Sequence, residues 1–307
     1  MDRNTLIAFF LIAIVLLFTP KYMETFAPQP AANQDMPGGT QEERKPDTLS
    51  FTSTQDYPPV KKTETKPTNN KNKNKITNIE TALYIAKISS VNGGSVLGFL
   101  LKDFLSPDSQ EVNIISRNND SNLEIEIQDL NGDPVSLSGN WNLTKESSRT
   151  NLQLEQSLEY KLEVFKNKFI KKTLFFSPDN YTVEIKLDFS DIKDLIYRDV
   201  RFSWNGGLAT TEKDSVDDKT YFKVTVYQGK EVEELKVKDS QSETKKLNGS
   251  TDWGAIRTKY FVSALIPKAP EAIRFAEVSG KSTNQEKYDL SFVFDSFQEP
   301  SFTLYLG

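Results

Sequence analysis

The side chains that most often perform acid–base or nucleophilic chemistry are missing from this 307-residue chain, which contains neither histidine nor cysteine. Histidine is the commonest general base near neutral pH and a frequent metal ligand, and cysteine supplies the thiolate nucleophile. Ser-His-Asp and Cys-His systems, disulfides and thiolate metal sites are therefore excluded. Catalysis would have to rest on carboxylate, lysine or tyrosine side chains alone.

Two pairs of carboxylates have the spacing of side chains on one face of a strand: Glu124 with Glu126, and Glu184 with Asp188. Both pairs alternate with apolar residues. This pattern favours a solvated polar face over a catalytic dyad, because the apolar side chains would occupy the buried face. We therefore interpret the four carboxylates as surface charges.

Three other features could suggest a binding site. Asp188, Asp191 and Asp194 lack the fixed glycine and bidentate glutamate of a calcium loop. The Asn-Gly-Gly sequence at 92–94 is too short for a phosphate cradle, and its residue types indicate a turn. Three tryptophans could stack on sugars but are more typical of a core or a sheet edge: Trp141, Trp204 and Trp253. We predict no catalytic, cofactor-binding or metal-binding residue.

An unbroken apolar run, LIAFFLIAIVLLF, occupies residues 6–18. Extended over residues 5–23, it would form a helix about 28 Å long, close to the ~30 Å hydrocarbon core of a bilayer. A cleaved signal peptide and an uncleaved signal anchor both fit this segment. No small-residue cleavage site follows closely, which favours the anchor. We predict a transmembrane signal anchor over residues 1–26, with Arg3 and the N-terminus in the cytoplasm.

Residues 27–75 contain seven of the chain's 14 prolines and almost no apolar periodicity. Such a segment buries too little surface to offset its ordering entropy, so we predict a disordered Pro/Lys/Asn-rich linker with a mean span of roughly 35–42 Å. Its lysine-rich end could contact anionic lipid head groups. Because no aromatic anchor accompanies the lysines, we favour a solvated tether.

Apolar and polar residues alternate throughout residues 76–307, and the clearest runs are 123–128, 158–164 and 181–189. Period-two alternation indicates strands with one buried face, and Asn/Gly turns separate the runs. Further strands are predicted at 221–227, 259–266, 288–295 and 301–306, whereas residues 230–246 are interpreted as a solvated loop or hairpin tip. Without βαβ alternation, the pattern predicts one all-β sandwich of two large antiparallel sheets.

Five segments, spread in order along the chain, carry a family resemblance. They are MDRNTLIAFFLIAIVLLF at 1–18; SVNGGSV at 90–96 with LLK at 100–102; FIKKTLFF at 169–176 with YTV at 181–183; WGAI at 253–256 with KYFVSALIP at 259–267; and FTLYLG at 302–307. Together they resemble the first membrane helix and the large periplasmic domain of the YidC-type (YidC/Oxa/Alb) membrane protein insertases of Gram-negative bacteria.

The resemblance implies that residues 76–307 form a periplasmic β-supersandwich similar in fold to galactose-mutarotase-like enzymes. It also implies a part of an insertase and chaperone of the bacterial inner membrane. The expected partners are the Sec translocon with its SecD/SecF subunits, nascent membrane proteins and, through the N-terminal helix, the lipid bilayer, but not nucleic acid. In that family the insertase core consists of five further transmembrane helices, which are absent from this sequence.

Two other functions remain open on the residues alone. One is a membrane-tethered periplasmic binding module, and the other is a carbohydrate-active enzyme that uses carboxylates. The absence of histidine argues against the second, since fold analogy by itself implies no activity. We therefore predict that the chain is not an enzyme and needs no cofactor.

Removing residues 1–75 should leave a soluble β-protein that unfolds cooperatively, because the strand pattern begins only near residue 76. Circular dichroism and thermal melting of the 76–307 fragment test this expectation. A helix-dominated spectrum, or an insoluble product without a transition, would contradict the predicted fold class.

Overall fold

The computed structural model of the chain describes residues 73–106, 109–116, 122–147, 154–206, 208–211, 220–282 and 286–307. These residues form 19 β-strands, and a 3₁₀ helix at Pro270–Ala272 precedes one of them. Numbered along the chain, the strands are β1 (Ile76–Glu80), β2 (Tyr84–Ser89), β3 (Ser95–Leu105), β4 (Glu111–Asn113), β5 (Glu124–Gln128), β6 (Pro134–Ser136), β7 (Asn142–Glu146), β8 (Gln156–Phe165), β9 (Lys168–Phe176), β10 (Thr182–Asp188), β11 (Asp199–Trp204), β12 (Lys223–Gln228), β13 (Glu231–Leu235), β14 (Ser242–Asn248), β15 (Thr251–Arg257), β16 (Val262–Pro267), β17 (Ile273–Ser282), β18 (Glu286–Asp295) and β19 (Ser301–Leu306).

The strands make three antiparallel sheets rather than the two that the sequence predicts. The nine-stranded sheet has the order β13-β12-β15-β16-β19-β10-β9-β8-β7, and the six-stranded sheet has the order β14-β17-β18-β11-β5-β6. A third sheet contains β1 to β4 in sequence order. The fold class, an all-β sandwich of antiparallel sheets, is confirmed, but the number of sheets was wrong. Local alternation indicates strands and does not indicate which strands pair.

The period-two pattern matches the observed burial. In β8, every second side chain from Gln156 to Val164 is buried, and the intervening side chains are partly exposed. In β19 the same alternation buries Phe302, Leu304 and Leu306. Successive side chains of a strand point to opposite faces, so one face of each strand supplies the core.

Aromatic side chains join the two large sheets. Phe302 of the nine-stranded sheet contacts three rings of the six-stranded sheet, with centroid distances of 4.9 Å to Phe202, 6.2 Å to Phe292 and 5.7 Å to Phe294. All four side chains are fully buried. Such rings bury large apolar areas, so this cluster is a main source of cohesion between the sheets.

The third sheet is attached to the nine-stranded sheet by hydrogen bonds as well as by packing. The hydroxyl of Tyr84 donates to the carbonyl oxygen of Ser177, between β9 and β10, at 2.8 Å. The side-chain amide of Gln156 in β8 donates to the carbonyl oxygen of Glu80 at 2.6 Å. These bonds satisfy polar groups at an interface that is otherwise apolar.

Two predictions about local structure were wrong in part. Residues 230–246 were predicted to be a solvated loop or a hairpin tip. Residues 229–230 do form the tip of the β12–β13 hairpin, but Glu231–Leu235 and Ser242–Asn248 are edge strands of different sheets. Their charged side chains are typical of edge strands, where they discourage pairing with other chains. The strand predicted at 259–266 begins only at Val262, because residues 258–261 form a turn in which the Thr258 amide donates to the Phe261 carbonyl.

The predicted anchor (1–26) and nearly all of the predicted linker (27–75) lie outside the described residues. The last three linker residues, 73–75, are exposed and have no regular secondary structure. In the part of the chain that the structure describes, no helix has both the length and the apolar character needed to cross a bilayer.

Replacing Phe302 with alanine should lower the free energy of unfolding by about 3–5 kcal/mol, because it leaves a cavity between the two large sheets. Urea unfolding followed by tryptophan fluorescence measures the change. Phe297→Ala is the matched control: Phe297 is 57% exposed, so its removal should change the stability by at most about 0.5 kcal/mol. Equal losses in the two variants would contradict the assigned core.

Candidate functional site

Lys172 is a charged residue at an apolar position. It lies in β9, where Ile170, Lys172, Leu174 and Phe176 all point inward, and its side chain is fully buried. A lysine is almost never fully buried unless its ammonium group has partners. Its surroundings therefore determine whether it performs chemistry or holds the fold together.

The Lys172 ammonium group bridges all three sheets. Its Nζ donates to the carbonyl oxygen of Asn92, in the turn between β2 and β3, and to that of Leu123, directly before β5, each at 2.5 Å. The same nitrogen lies 5.2 Å from the ring centroid of Trp141 and 5.4 Å from that of Phe202. We call these five residues the lysine junction.

Both residues whose carbonyl oxygens bind the ammonium have a left-handed backbone. The φ angle is 53° at Asn92 and 54° at Leu123. Asparagine adopts this conformation readily, whereas for leucine it costs on the order of 1–2 kcal/mol. The charge-assisted bond from Lys172 offsets this cost at Leu123, because it is available only when the carbonyl turns toward the ammonium.

Neighbouring residues hold the junction in place. The buried side chain of Asn122 accepts a hydrogen bond from the Val96 amide at 2.8 Å and donates to the Val96 carbonyl at 2.9 Å. The Asn122 side-chain amide thus makes the two hydrogen bonds to the Val96 backbone that a neighbouring strand would make. Gly93, with φ of +66°, lies so close to Trp141 that an added Cβ would be 2.7 Å from the indole ring. Only glycine allows this approach.

Burial lowers the pKa of Lys172 to about 7, and the nearby charge of Glu124 only partly opposes this shift. A lysine that is neutral near physiological pH can act as a nucleophile or base in an enzyme. Here, however, the side chain has no exposed surface through which a substrate could reach it. The lysine junction is therefore a structural contact between the sheets.

The first carboxylate pair lies on the polar face of β5, as the sequence predicts. The carboxylate of Glu124 accepts hydrogen bonds from the Ser136 hydroxyl at 2.6 Å and from the Asn205 amide at 3.0 Å. Glu126 pairs with Arg201 at 3.6 Å. Each carboxylate is occupied by its neighbours in the fold.

The second pair lies on the outer face of β10. Asp188 pairs with Lys171 at 2.9 Å, and Glu184 pairs with Lys186 at 3.6 Å. Partial burial raises the pKa of Asp188, but hydrogen bonds from Ser190 and Lys171 outweigh it and leave the pKa below its ordinary value. A carboxyl group with a lowered pKa is a weak general base, so this pair does not form an acid–base dyad.

The remaining candidate residues are also placed by the structure. Within the described ranges, no three carboxylates, including Asp188, Asp191 and Asp194, come close enough to hold a metal ion. Trp141 and Trp204 are core residues with 1% exposure each. Trp253 is half-buried on the outer face of the nine-stranded sheet, where it stacks on Tyr227 at 5.7 Å.

Two hairpin tips form an exposed apolar surface at one end of the sandwich. Phe104 and Leu105 end β3 beside its turn to β4, and Tyr260 and Phe261 lie in the turn between β15 and β16. The Phe104 ring is 6.1 Å from that of Phe261 and 6.4 Å from that of Tyr181. We call these five residues the tip surface.

Three side chains of the tip surface are exposed, whereas Tyr181 is partly buried and Phe261, 9% exposed, belongs to the core beneath them. The exposed fractions are 45% for Phe104, 64% for Leu105 and 58% for Tyr260. A lysine accompanies these side chains: the Lys259 Nζ lies 5.1 Å from the ring centroid of Tyr260 and 5.8 Å from that of Tyr221. Clustered exposed apolar residues mark contact surfaces more often than isolated ones do.

Residues 76–304, three quarters of the chain, match the family model of the YidC periplasmic domain. The chain belongs to the YidC family. The resemblance seen in the sequence is thereby confirmed, and the matched region is the periplasmic domain of a family of membrane proteins.

Curated relatives support the assignment. The membrane protein insertase YidC of Chlorobium phaeovibrioides is 30% identical over 247 residues, which cover 75% of this chain and 41% of that protein. The insertase YidC of Prosthecochloris aestuarii is 26% identical over 326 residues, covering 100% of this chain and 54% of that protein. The chain thus spans about half the length of the curated relatives it matches.

Solved structures show only distant likeness. A galactose mutarotase-related enzyme from Lactobacillus acidophilus is 9% identical with a TM-score of 0.44, covering 76% of this chain and 97% of that one. A GH36 α-galactosidase from Geobacillus stearothermophilus is 8% identical with a TM-score of 0.40, covering 76% and 40%. Similarity at this level supports no inference about chemistry, and a supersandwich of the mutarotase kind stays a prediction.

The sequence analysis identified neither the lysine junction nor the tip surface. Lys172 could have been found, because Ile170, Leu174 and Phe176 place it at an inward position of an alternating strand. The tip surface had no such signal, since Phe104 and Tyr260 are far apart in the sequence. β3 and β15 lie in different sheets, and only the packing of these sheets against each other brings the two tips together.

Wild-type stability should rise with pH across the interval from about 7 to 10.5, the native and ordinary pKa values of Lys172. Within this interval the unfolded chain keeps the lysine proton that the native state has lost, so deprotonation favours the native state by up to about 1.4 kcal/mol per pH unit. The Lys172→Met variant should lack this contribution. Urea unfolding of both proteins at several pH values measures it.

Lys171→Met is the matched control for this test. Lys171 is partly exposed, and its hydrogen bond to Asp188, followed by the charge of Asp188, raises its pKa above the ordinary value. The stabilisation from the interaction between Lys171 and Asp188 is therefore fully present between pH 7 and 10.5, and it is lost only at higher pH. Parallel stability curves for wild type and Lys172→Met would show that the buried lysine does not titrate as stated.

Proposed function

We propose that this chain is the membrane-anchored periplasmic part of a membrane protein insertase and chaperone, in which the β-sandwich is a docking and scaffolding domain. The observation that carries the proposal is the match of residues 76–304 to the YidC periplasmic domain. The curated relatives that share this region are named membrane protein insertases.

The domain itself is proposed to be neither an enzyme nor the inserting device. The four candidate carboxylates are engaged in ion pairs and hydrogen bonds, the buried Lys172 is closed off from solvent, and histidine and cysteine are absent. Insertion moves polar groups through hydrocarbon at a cost of several kcal/mol for each charge. Lowering that cost requires polar groups within the bilayer, whereas the apolar run at 6–18 contains none that is charged.

We further propose how the chain is placed and what it contacts. Residues 1–26 anchor it in the bacterial inner membrane with the N-terminus in the cytoplasm, and residues 76–307 lie in the periplasm. The domain works with the Sec translocon and its SecD/SecF subunits, and nascent membrane proteins are the substrates of the assembled insertase. Support comes from the apolar N-terminal run and from family membership.

Cells depleted of their own insertase provide the test. The chain 1–307 alone should not restore growth or membrane insertion, because it supplies no polar path through the bilayer. A chimera in which this chain replaces the matching region of the Chlorobium phaeovibrioides insertase should restore both. Insertion of a Sec-independent membrane protein, measured by protease protection, is the direct readout.

The two arms separate the possible outcomes. Restoration by the chain alone would refute the claim that the inserting activity lies outside it. Failure of the chimera, at a membrane abundance equal to that of the intact relative, would refute the claim that this chain is the equivalent part of an insertase. The intact relative is the positive control.

A further inference from the structure

We propose that the exposed side chains of the tip surface, Phe104, Leu105 and Tyr260, rest on the lipid–water interface of the membrane, an inference that rests on the membrane anchor of the proposed function. This contact would dock the domain against the bilayer and would set its orientation toward whatever membrane partner it meets. The partner surface is the lipid itself, and the contact does not depend on the translocon.

The geometry suits insertion into an interface. Each of the two hairpins ends in a short turn: the Ser106 amide donates to the Gln110 carbonyl in one, and the Thr258 amide donates to the Phe261 carbonyl in the other. These bonds pair backbone groups at the base of each turn, which lowers the cost of moving those groups into a less polar medium. The tips lie side by side, joined by the contact between Phe104 and Phe261 at 6.1 Å.

The residue types are those that favour the interface. Tyrosine is enriched at the level of the lipid head groups because its ring is apolar and its hydroxyl is polar. Phe104 and Leu105 would enter the acyl boundary just below. Lys259, beside Tyr260, carries the charge that anionic head groups attract, and it counterbalances the exposed Asp103, which is hydrogen-bonded to Tyr181.

A bilayer is favoured over other occupants because the sequence predicts a tether to one. A linker with a mean span of roughly 35–42 Å keeps the domain close to the membrane that holds residues 1–26. Tethering of this kind gives an effective concentration on the order of millimolar, so a contact of three exposed apolar side chains suffices. A free partner protein would receive no such advantage.

The other end of the sandwich supplies a matched control position. Phe297 is 57% exposed, against 58% for Tyr260, and lies in the turn between β18 and β19. Its ring lies 6.0 Å from the Arg198 guanidinium group, which pairs with Asp295. An equally exposed aromatic residue in a charged setting should stay in water.

Site-specific labelling tests the proposal directly, because the chain contains no cysteine and one introduced cysteine is unique. The full chain carrying Tyr260→Cys, Phe104→Cys or Phe297→Cys is labelled with an environment-sensitive fluorophore. Each protein is then reconstituted into vesicles of phosphatidylethanolamine and phosphatidylglycerol. The labels at 260 and 104 should show blue-shifted emission and severalfold stronger quenching by a lipid-borne quencher than the label at 297.

A second variant shows whether the two hairpins act together. Adding Phe104→Ser and Leu105→Ser to the Tyr260→Cys protein should reduce lipid quenching at position 260 severalfold. Both side chains are exposed, so circular dichroism should confirm an unchanged sandwich. Undiminished quenching would show that the surface does not act as one unit.

Two results would overturn the proposal. The first is water-like emission at 260 and 104, equal to that at 297. The second is shielding of position 260 that grows with the protein-to-lipid ratio and is insensitive to the lipid quencher, which would identify a second copy of the chain as the occupant. Failure of the chain to associate with the vesicles at all would instead refute the anchor of the proposed function, on which the tip contact depends.

Discussion

The buried amino group of Lys172, charged below its pKa of about 7 and neutral above it, is the constraint on which the arrangement of the three sheets depends. A charge removed from water costs several kcal/mol unless hydrogen bonds replace its hydration. Here the replacements are the carbonyl oxygens of Asn92 and Leu123, which belong to the other two sheets. The ammonium is therefore satisfied only when all three sheets are in place. The same requirement explains the left-handed backbone at Asn92 and Leu123, whose carbonyl oxygens accept these two bonds.

Around this junction, the interior of the domain is held together by apolar packing, whereas its exterior carries the charged side chains. The interior is filled by rings such as Phe302 and by the inward rows of each strand. On the exterior, several charged side chains pair within the fold, as Asp188 does with Lys171. The proposed docking function relies on this exterior, and the match to the YidC periplasmic domain supports it.

Much of the strand content could be predicted because alternation is a local property. The buried rows of β8 and β19 follow directly from side chains that point to opposite faces at successive positions. The ion-paired carboxylates on polar faces follow from the same rule. Predictions failed at two places. At residues 230–246 the many charged side chains obscure the alternating pattern of the strands, and at residues 259–261 the alternating pattern continues into a turn. At residues 230–246 the partner strand decided the structure, as pairing with β12 and β17 shows for β13 and β14.

By itself, the sequence determined the fold class, the family and the absence of histidine and cysteine chemistry. Tertiary structure alone decided that there are three sheets, that Lys172 joins them, and that Phe104 meets Phe261. The reason is physical: alternation reports which face of a strand is buried, whereas pairing and packing depend on contacts between residues far apart in the chain. A buried lysine and an exposed ring acquire their partners only when those distant strands assemble.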